Sequence, residues 1–246
     1  TYPKISLITP SLNQGQFIEA TIRSVLSQNY PNLEYLVMDG SSSDNTIDVL
    51  KHYSSQLQWV SEKDKGQTDA INKGLRIASG EIVAYLNADD LLLPGTLLKI
   101  AQLFMEHPQT MWITGQCRII DENNQEIRKL ITAYKNLWLR LSHPSILLIT
   151  DYISQPATFW RANLMSEMGY LDEGLHYVMD YEYWLRLYTK YPLMFIPEYL
   201  AAFKIHLQSK TTSTGHKPAF IDEERTIIQR HTNSRVIMLL HDLHRL

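Results

Sequence analysis

Two adjacent carboxylates end a run of apolar residues in the stretch VAYLNADDLLLPG, residues 83–95. Asp89 and Asp90 would repel each other and lose solvation at the end of a buried strand, and a cation would offset both costs. Mg²⁺ and Mn²⁺ are hard ions that prefer oxygen ligands and often share their shell with substrate phosphates. The amide oxygen of Asn87 suits the same ions. The alternative is that Asp89 or Asp90 caps a helix that begins near Pro94.

Polar groups that follow two other apolar runs suggest contacts to the same ligand. Asp39 ends the run EYLVMD, where a carboxylate can accept hydrogen bonds from a nucleobase or a ribose. Its alternative role is in a turn, with Ser43 or Asp44 capping the next helix. Gln67 and Asp69 open a helical stretch, either as ligand contacts or, for Asp69, as a first-turn carboxylate that suits the helix dipole.

Short apolar runs alternate with amphipathic stretches over the first ~105 residues, the pattern of repeated βα units and a mostly parallel sheet. The predicted strands are 4–10, 34–39, 57–62 and 81–87, and the predicted helices are 16–28, 44–54, 67–78 and 94–106. Because ligands bind outside the carboxyl ends of the strands in such sheets, we expect the polar loops to converge on one site.

This regularity breaks after residue 107, where short apolar pieces read as strands or short buried segments. They are followed by a helical stretch at 180–191, a strand at 199–206 and a polar, turn-rich stretch at 207–218. The segment 219–246 has a helical pattern and is expected to pack on the body of the protein. A membrane-surface or partner helix is the alternative.

Composition narrows the class of protein. The chain has 246 residues, of which 44% are hydrophobic and 20% charged, and its net charge of −3 gives no electrostatic reason to expect a nucleic-acid partner. Cys117 is the only cysteine, so intrachain disulfides are excluded; a reducing compartment and a buried apolar role are expected. No apolar run approaches the ~20 residues that span a bilayer, and the first residues lack the pattern of a signal peptide. We therefore expect a soluble, cytoplasmic protein.

Three blocks resemble the signature blocks of glycosyltransferase family 2, the inverting enzymes of the GT-A fold. They are SLITPSLNQGQFIEATIRSVLSQNYPNLEYLVMDGSSSDNT, DKGQTDAINKGLRIASGEIVAYLNADD and MDYEYWLRL. The resemblance implies an α/β fold of the GT-A type, with a Rossmann-like, mostly parallel central sheet flanked by helices. It further implies a nucleotide-sugar-binding half at 1–106, an acceptor-binding and catalytic half at 107–216, and a C-terminal helical segment at 217–246.

The same resemblance assigns roles by position in the first half. The positions assigned to the nucleotide-sugar are Thr9, Pro10, Asp39, Gln67, Asp69, Asn87 and Asp89. Among them, Asp39 would meet the base and Asp89 the ribose or the sugar, while Asp90 would reach a bound Mn²⁺ or Mg²⁺. One departure is Asn87, which occupies the first position of the DXD-type motif and brings no charge, so weaker metal affinity is expected.

In the second half, Asp180 matches the acidic residue that acts as catalytic base in the family. A positioned base that removes the proton of the acceptor hydroxyl contributes about 10²- to 10⁴-fold in rate. Glu182 is the alternative base. A helix N-cap is the structural alternative for Asp180, and nearby helix N–H groups would then lower its pKa.

Several later residues are expected near the two substrates. His206 resembles a further metal or phosphate ligand, although a structural hydrogen bond is the commoner role of a single histidine. Lys204 and Lys210 would add cationic contacts to the diphosphate, and 207–218 would form a lid over the donor.

Aromatic residues and a glutamine are candidates for the acceptor side. Gln155, Phe159 and Trp160 would line the acceptor groove, with core packing an equal alternative for the two aromatics. Trp184 lies in an apolar helical stripe and is expected in the core.

The resemblance implies a metal-dependent, inverting glycosyltransferase that moves a sugar from a UDP- or GDP-linked donor to a hydroxyl acceptor, a growing glycan or a lipid-linked one. Association with the inner face of a membrane is a further expectation. One alternative is a sugar-nucleotide-binding module with weak or no activity. The other is a sugar nucleotidyltransferase, which would need a Gly-rich basic loop after the first strand that TPSLNQGQ lacks.

Overall fold

The computed structural model describes residues 1–209 and 217–245. Within these residues one sheet runs through the molecule. Its strands are β1 (Ile5–Ser11), β2 (Leu33–Asp39), β3 (Gln58–Ser61), β4 (Ile82–Tyr85), β5 (Leu91–Leu92), β6 (Trp112–Ile120), β7 (Thr158–Arg161) and β8 (Met194–Lys204). They are ordered β3-β2-β1-β4-β7-β6-β8-β5.

Helices cover the sheet and connect its strands. They are α1 (Ile18–Leu26), α2 (Thr46–His52), α3 (Gln67–Ile77), α4 (Thr96–Glu106), α5 (Lys129–Leu141), α6 (Pro144–Leu147), α7 (Leu164–Met168), α8 (Met179–Tyr188), α9 (Lys217–His231) and α10 (Arg235–His244). The four helices and four strands predicted before residue 107 are confirmed, with small changes at their ends.

The strands β3, β2, β1 and β4 are parallel to one another. All of β1 and β4 is buried, as expected for strands that carry helices on both faces. Ser11 pairs with Asp39, and Ile8 pairs with Tyr85. The register therefore brings the carboxyl ends of β1, β2 and β4 to one edge of the sheet.

The second half extends the same sheet. β7 joins β4 in the antiparallel sense, with Val83 opposite Trp160, and β6 and β8 follow. The predicted strand at 199–206 is the last part of β8, which begins earlier, at Met194. The pairing of β4 with β7 joins strands from both sides of residues 106 and 107 in one sheet. The division of the chain into two functional halves at this point stays a prediction.

Tryptophans form the centre of the second half. Trp112, Trp160 and Trp184 are each 0% exposed, and the rings of Trp112 and Trp184 stack with centroids 5.8 Å apart. Phe159 is also fully buried. The core alternative is therefore the correct one for Phe159 and Trp160, the expectation for Trp184 is confirmed, and Cys117 is buried as predicted. Phe159 and Trp160 do not line an acceptor groove, because the strand pairing that carries them lies inside the sheet.

A glycine sets the distance between α3 and β1. A Cβ atom on Gly74 would lie 2.5 Å from Cγ2 of Ile8, closer than such atoms can approach. The absence of a side chain therefore allows α3 to pack directly on the strand. Gln67, the first residue of α3, reaches the edge where the parallel strands end, since its side chain donates to Asn87, just after β4.

The C-terminal segment packs on the body through α9 and α10, as predicted for 219–246. Ile227 and Ile228 are fully buried, and the carboxylate of Glu224, also fully buried, forms an ion pair with Arg245. The two helices are separate because Ser234 caps α10. Within the described residues, no helix is long and apolar enough to cross a bilayer.

Candidate functional site

The last residues of β1 form the floor of the site. Thr9 is fully buried, with its Oγ1 3.2 Å from the hydroxyl of Tyr35, and Pro10 pairs with Met38. Ser11, at the last position, has a buried hydroxyl with no hydrogen-bond partner among the described residues. The structure thus adds Ser11 to the residues at this edge, and no pattern in the sequence marked it.

The end of β2 places Asp39 beside Ser11. One carboxylate oxygen of Asp39 accepts hydrogen bonds from the N–H of Ser42 at 2.9 Å and the hydroxyl of Ser61 at 2.6 Å. Asp44 accepts from the N–H of Thr46, the first residue of α2. Asp39 therefore organises the turn, as its alternative role predicted, and its contact with a base stays a prediction.

A chain of amides links three elements at the end of β4. The Oδ1 atom of Asn87 accepts from Gln67 Nε2 at 2.7 Å, and its Nδ2 atom donates to Asp90 at 3.2 Å. Asn87 Nδ2 also lies 3.5 Å from Gln155 Oε1, and Gln155 donates to the carbonyl of Tyr85 at 2.6 Å. Gln67, Asn87 and Gln155 are therefore brought together, although the sequence assigned Gln155 to the acceptor side.

The adjacent carboxylates point to different partners. Asp90 is fully buried, and its Oδ1 accepts from the backbone N–H of Lys204 at 2.9 Å. Burial, reinforced by the charge of Asp89, raises the pKa of Asp90 well above its ordinary value. The Asp89 side chain is 19% exposed and lies 2.9 Å from Nε2 of His206. The helix-cap alternative is wrong for Asp90, because α4 begins further on, at Thr96.

His206 and α1 hold this loop in place. The ring of His206 packs on Phe17 with centroids 4.2 Å apart, and its backbone N–H donates to Ser209 at 3.0 Å. The hydroxyl of Thr21 lies 2.8 Å from the carbonyls of both Ala88 and Asp90. Strand β8 and helix α1 thus fix the carboxylate loop from two sides.

The donor atoms at this loop suit a cation that a substrate helps to bind. Among residues 1–209 and 217–245, no group of three or more His, Cys, Asp and Glu side chains is arranged to hold a metal. Asp89 and His206 offer one carboxylate and one imidazole, which fits an ion that takes one or two protein ligands and completes its shell with phosphate oxygens. The costly carboxylate pair at the same place is the observation that favours such an ion.

Two other predicted residues have structural partners. Asp69 accepts from the N–H of Lys65 at 3.0 Å, and this bond, together with the nearby Lys73, lowers its pKa. The ammonium of Lys204 donates to Asn124 at 2.5 Å, and its charge also acts on Asp90. Lys210 and most of the predicted lid at 207–218 lie outside the described residues.

The predicted base, Asp180, stands in the first turn of α8. Burial, with the charge of Asp151 as a second cause, raises the pKa of Asp180 to about 7. The expectation that helix N–H groups would lower this pKa is wrong, because the bond from the N–H of Tyr181 at 2.9 Å is outweighed. The alternative base, Glu182, is buried and forms an ion pair with Arg186 at 2.8 Å.

Asp151 is a carboxylate that sequence reasoning missed. Its pKa is also raised by burial, against the opposing charge of Lys135. Burial and then the charges of Asp180, Asp90 and Asp151 raise the pKa of the Tyr85 hydroxyl. The charges of all three carboxylates therefore act on one tyrosine at the end of β4. The sequence carried no signal for Asp151, because it stands alone between two apolar pieces.

Comparison with known proteins gives concordant matches. The family described as "Glycosyl transferase family 2" matches residues 6–164. The Escherichia coli protein named UDP-Glc:alpha-D-GlcNAc-diphosphoundecaprenol beta-1,3-glucosyltransferase WfgD is 36% identical over 140 residues, 56% of this chain and 54% of that protein. The Bacillus subtilis protein named putative teichuronic acid biosynthesis glycosyltransferase TuaG is 33% identical over 139 residues, 55% of each. The matched stretch thus spans about half the length of these relatives.

A solved structure extends the similarity to the whole chain. Mannosyltransferase PcManGT from Pyrobaculum calidifontis, in complex with GDP-Man and Mn²⁺, superposes with a TM-score of 0.76 at 19% sequence identity. The match covers 99% of this chain and 70% of that one.

Proposed function

The chain belongs to glycosyltransferase family 2 and has the GT-A fold, and we propose that it transfers a sugar, with inversion, from a nucleotide-diphosphate donor to a hydroxyl acceptor. The observation that carries the proposal is the hydrogen-bonded group at the end of β4, in which Asn87 contacts Gln67, Asp90 and Gln155, together with the action of the Asp180 charge on Tyr85 of the same strand. It brings the expected metal side and the expected base of the reaction to one end of the sheet.

The donor would bind along the ends of β1, β2 and β4. We propose that Thr9, Pro10 and Asp39 form the nucleoside-binding edge, with the unpaired hydroxyl of Ser11 as an added contact. Gln67 and Asp69 start α3 at the same edge, and a helix N-terminus suits the negative charge of a diphosphate. The base stays open between uracil and guanine, because WfgD is named for UDP-Glc and PcManGT was solved with GDP-Man.

A divalent ion, Mn²⁺ or Mg²⁺, would be held by the carboxylate loop. The sequence assigned Asp90 to the metal and Asp89 to the ribose or sugar, with Asn87 beside them. Since Asp90 is fully buried and Asp89 is partly exposed beside His206, we propose Asp89 and His206 as the direct ligands; Asp90 lies behind them, and the bound ion would favour its ionised form. Such an ion stabilises the negative charge that grows on the leaving diphosphate.

Asp180 would act as the general base. Its pKa of about 7 lies close to that of an efficient base at neutral pH. It would take the proton of the acceptor hydroxyl as that oxygen attacks the anomeric carbon from the face opposite the diphosphate, and this geometry inverts the configuration. Glu182 is less suited, because Arg186 already pairs with it.

The acceptor is proposed to be a growing glycan, and a lipid-linked one is favoured. WfgD is named for a diphosphoundecaprenol substrate and TuaG for teichuronic acid biosynthesis, which supports a role in polysaccharide or cell-envelope synthesis. Such an acceptor is consistent with a location in the cytoplasm, where the protein associates with the inner face of the membrane.

Titration with nucleotides tests this function. We expect heat of binding for UDP or GDP in isothermal titration calorimetry, at least tenfold tighter with Mn²⁺ than with EDTA. An Asp89→Asn variant should lose most of the Mn²⁺ effect, whereas Asp121→Asn, in an exposed turn, should keep it. Binding of neither nucleotide would contradict the proposal.

The same material separates an enzyme from a binding module. When the protein is incubated with Mn²⁺ and the sugar-linked form of the nucleotide that it binds, it should release the nucleotide slowly by transferring the sugar to water. Binding without any release or transfer would favour the module with weak or no activity.

A further inference from the structure

Helix α5 exposes an apolar stripe on its outward face. Thr132 and Leu139 are its buried residues, and they face the body of the protein. The residues on the opposite side recur every three or four positions, as on one face of a helix. They are Leu130, Tyr134, Leu137 and Leu141, exposed by 88%, 36%, 55% and 60%.

Helix α10 exposes a second stripe of the same kind. Its buried residue is His241, whose ring contacts the carbonyl of Ile149 at 3.1 Å. The outward residues are Val236, Leu239, Leu240 and Leu243, exposed by 66%, 59%, 43% and 55%. A single exposed leucine is ordinary, but eight large side chains on two outward helix faces form a patch of the kind that marks an interaction site.

A direct contact joins the two helices. The hydroxyl of Tyr134 lies 2.8 Å from Nε2 of His244, and the two rings stack with centroids 5.8 Å apart. The outward faces of α5 and α10 therefore belong to one surface, which we call the α5–α10 surface.

Helix α5 carries only positive charges of its own, while Glu126 precedes it, Asp151 follows it, and α10 carries Arg235 and Asp242. Residues 127–150 contain Arg128, Lys129, Lys135 and Arg140 and no Asp or Glu, in a chain whose net charge is −3. Lys129 and Arg140 lie on one flank of the apolar stripe by helical spacing. A helix with exposed leucines flanked by cations is suited to the interface of a bilayer that contains anionic lipids.

We propose that the α5–α10 surface docks the protein on an anionic lipid bilayer. A second copy of the chain is a poorer occupant, because a two-fold contact through α5 would bring the cations of one helix against those of the other. Anionic headgroups complement these cations, and the leucines can enter the boundary between headgroups and acyl chains.

The docked orientation would serve the reaction. On the inner side of α5, the ammonium of Lys135 donates to the carbonyl of Ile153 at 3.4 Å, and its charge acts on Asp151 and Asp180. One helix would thus present leucines to the bilayer on its outer face and, on its inner face, a lysine whose charge acts on the acceptor-side carboxylates. Only the use of a lipid-linked acceptor rests on the proposed function; bilayer binding requires neither donor nor metal.

Vesicle sedimentation tests the proposal. We expect the chain to bind vesicles that contain about one third phosphatidylglycerol in phosphatidylcholine at least tenfold more strongly than phosphatidylcholine alone. Leu130→Ser/Leu137→Ser/Leu141→Ser and Lys129→Glu/Arg140→Glu should each reduce binding about tenfold or more. Ile77→Ser/Met105→Ser and Lys51→Glu, at exposed positions of other helices, are the matched controls and should bind as the unchanged chain does.

The outcomes separate this surface from the rest of the protein. Equal binding to both vesicle types, or full binding by the two variants, would overturn the proposal. A dimer in gel filtration that the leucine variant converts to a monomer, with no vesicle binding, would assign the surface to a second copy instead. Circular dichroism verifies that each variant folds. If the unchanged chain binds nucleotide but no vesicles, the docking alone is contradicted; if it binds vesicles but no nucleotide, the proposed function alone is contradicted.

Discussion

Asp180 and Asp151 share a partly desolvated environment, in which each carboxylate disfavours the ionised form of the other. Burial comes first among the causes that raise the pKa of Asp180, and Asp151 comes second. A base must be deprotonated to accept a proton, so the rate of transfer should rise with pH and level off above about 7. Burial, and after it the charge of a second acidic group, would thus set the pH range in which Asp180 can act as a base.

Replacing Asp180 tests its role as the base. We expect Asp180→Asn to lower kcat by about 10²- to 10⁴-fold, because the proton acceptor is lost while the shape of the side chain is kept. Donor affinity measured by calorimetry should stay within about twofold, since the donor is expected to bind at the ends of β1, β2 and β4 rather than on α8.

Asp151→Asn is the matched variant for the same site. It removes a negative neighbour without removing the base, so the pKa of Asp180 should fall and the midpoint of the pH–rate profile should move to lower pH. A profile with an unchanged midpoint would show that Asp151 does not act on the base. Normal turnover by Asp180→Asn would place the base elsewhere.

At the scale of single elements, the close packing of helix α3 on strand β1 depends on Gly74. We expect Gly74→Ala to lower the free energy of unfolding by about 1–3 kcal/mol, because a Cβ 2.5 Å from Ile8 forces the helix away from the strand. The gain in helix propensity, about 1 kcal/mol, offsets only part of this cost. Urea denaturation measures the change.

Ile77→Ala, at an exposed position of α3, is the control and should change the free energy of unfolding by less than about 0.5 kcal/mol. Equal effects of both variants would contradict the steric argument.

The elements differ in how far the sequence predicts them. Strands such as β1 and β4 are predictable because burial on both faces makes them continuously apolar between polar turns. α5 was not predicted, because it buries only Thr132 and Leu139 and shows its apolar residues to solvent instead.

Candidate residues of the site can be identified from the sequence where they occupy a position in a motif, and their roles stay predictions. Asp89, Asp90 and Asp180 could be picked out from blocks of sequence. The raised pKa of Asp180 could not be predicted, because it results from burial and then from the charge of Asp151, and the fold alone determines both. The pairing of Asp89 with His206 likewise joins residues far apart in the chain.

At the scale of the whole molecule, the two predicted halves share one sheet through the pairing of β4 with β7. We therefore expect the chain to unfold in a single cooperative transition. In a Trp59→Phe variant every remaining tryptophan lies in the second half, so fluorescence reports that half while far-UV circular dichroism reports both. The two urea midpoints should coincide. Separate midpoints would show that the halves fold as independent domains.

The continuous sheet also bears on how such a protein can change its specificity. Strand register, rather than the closing of a hinge between lobes, sets the spacing between the groups expected to meet the donor and those expected to meet the acceptor. Loops at the edge of the sheet can then change one at a time to accept a new donor sugar or a new acceptor, while the sheet keeps the distance between the two bound reactants the same.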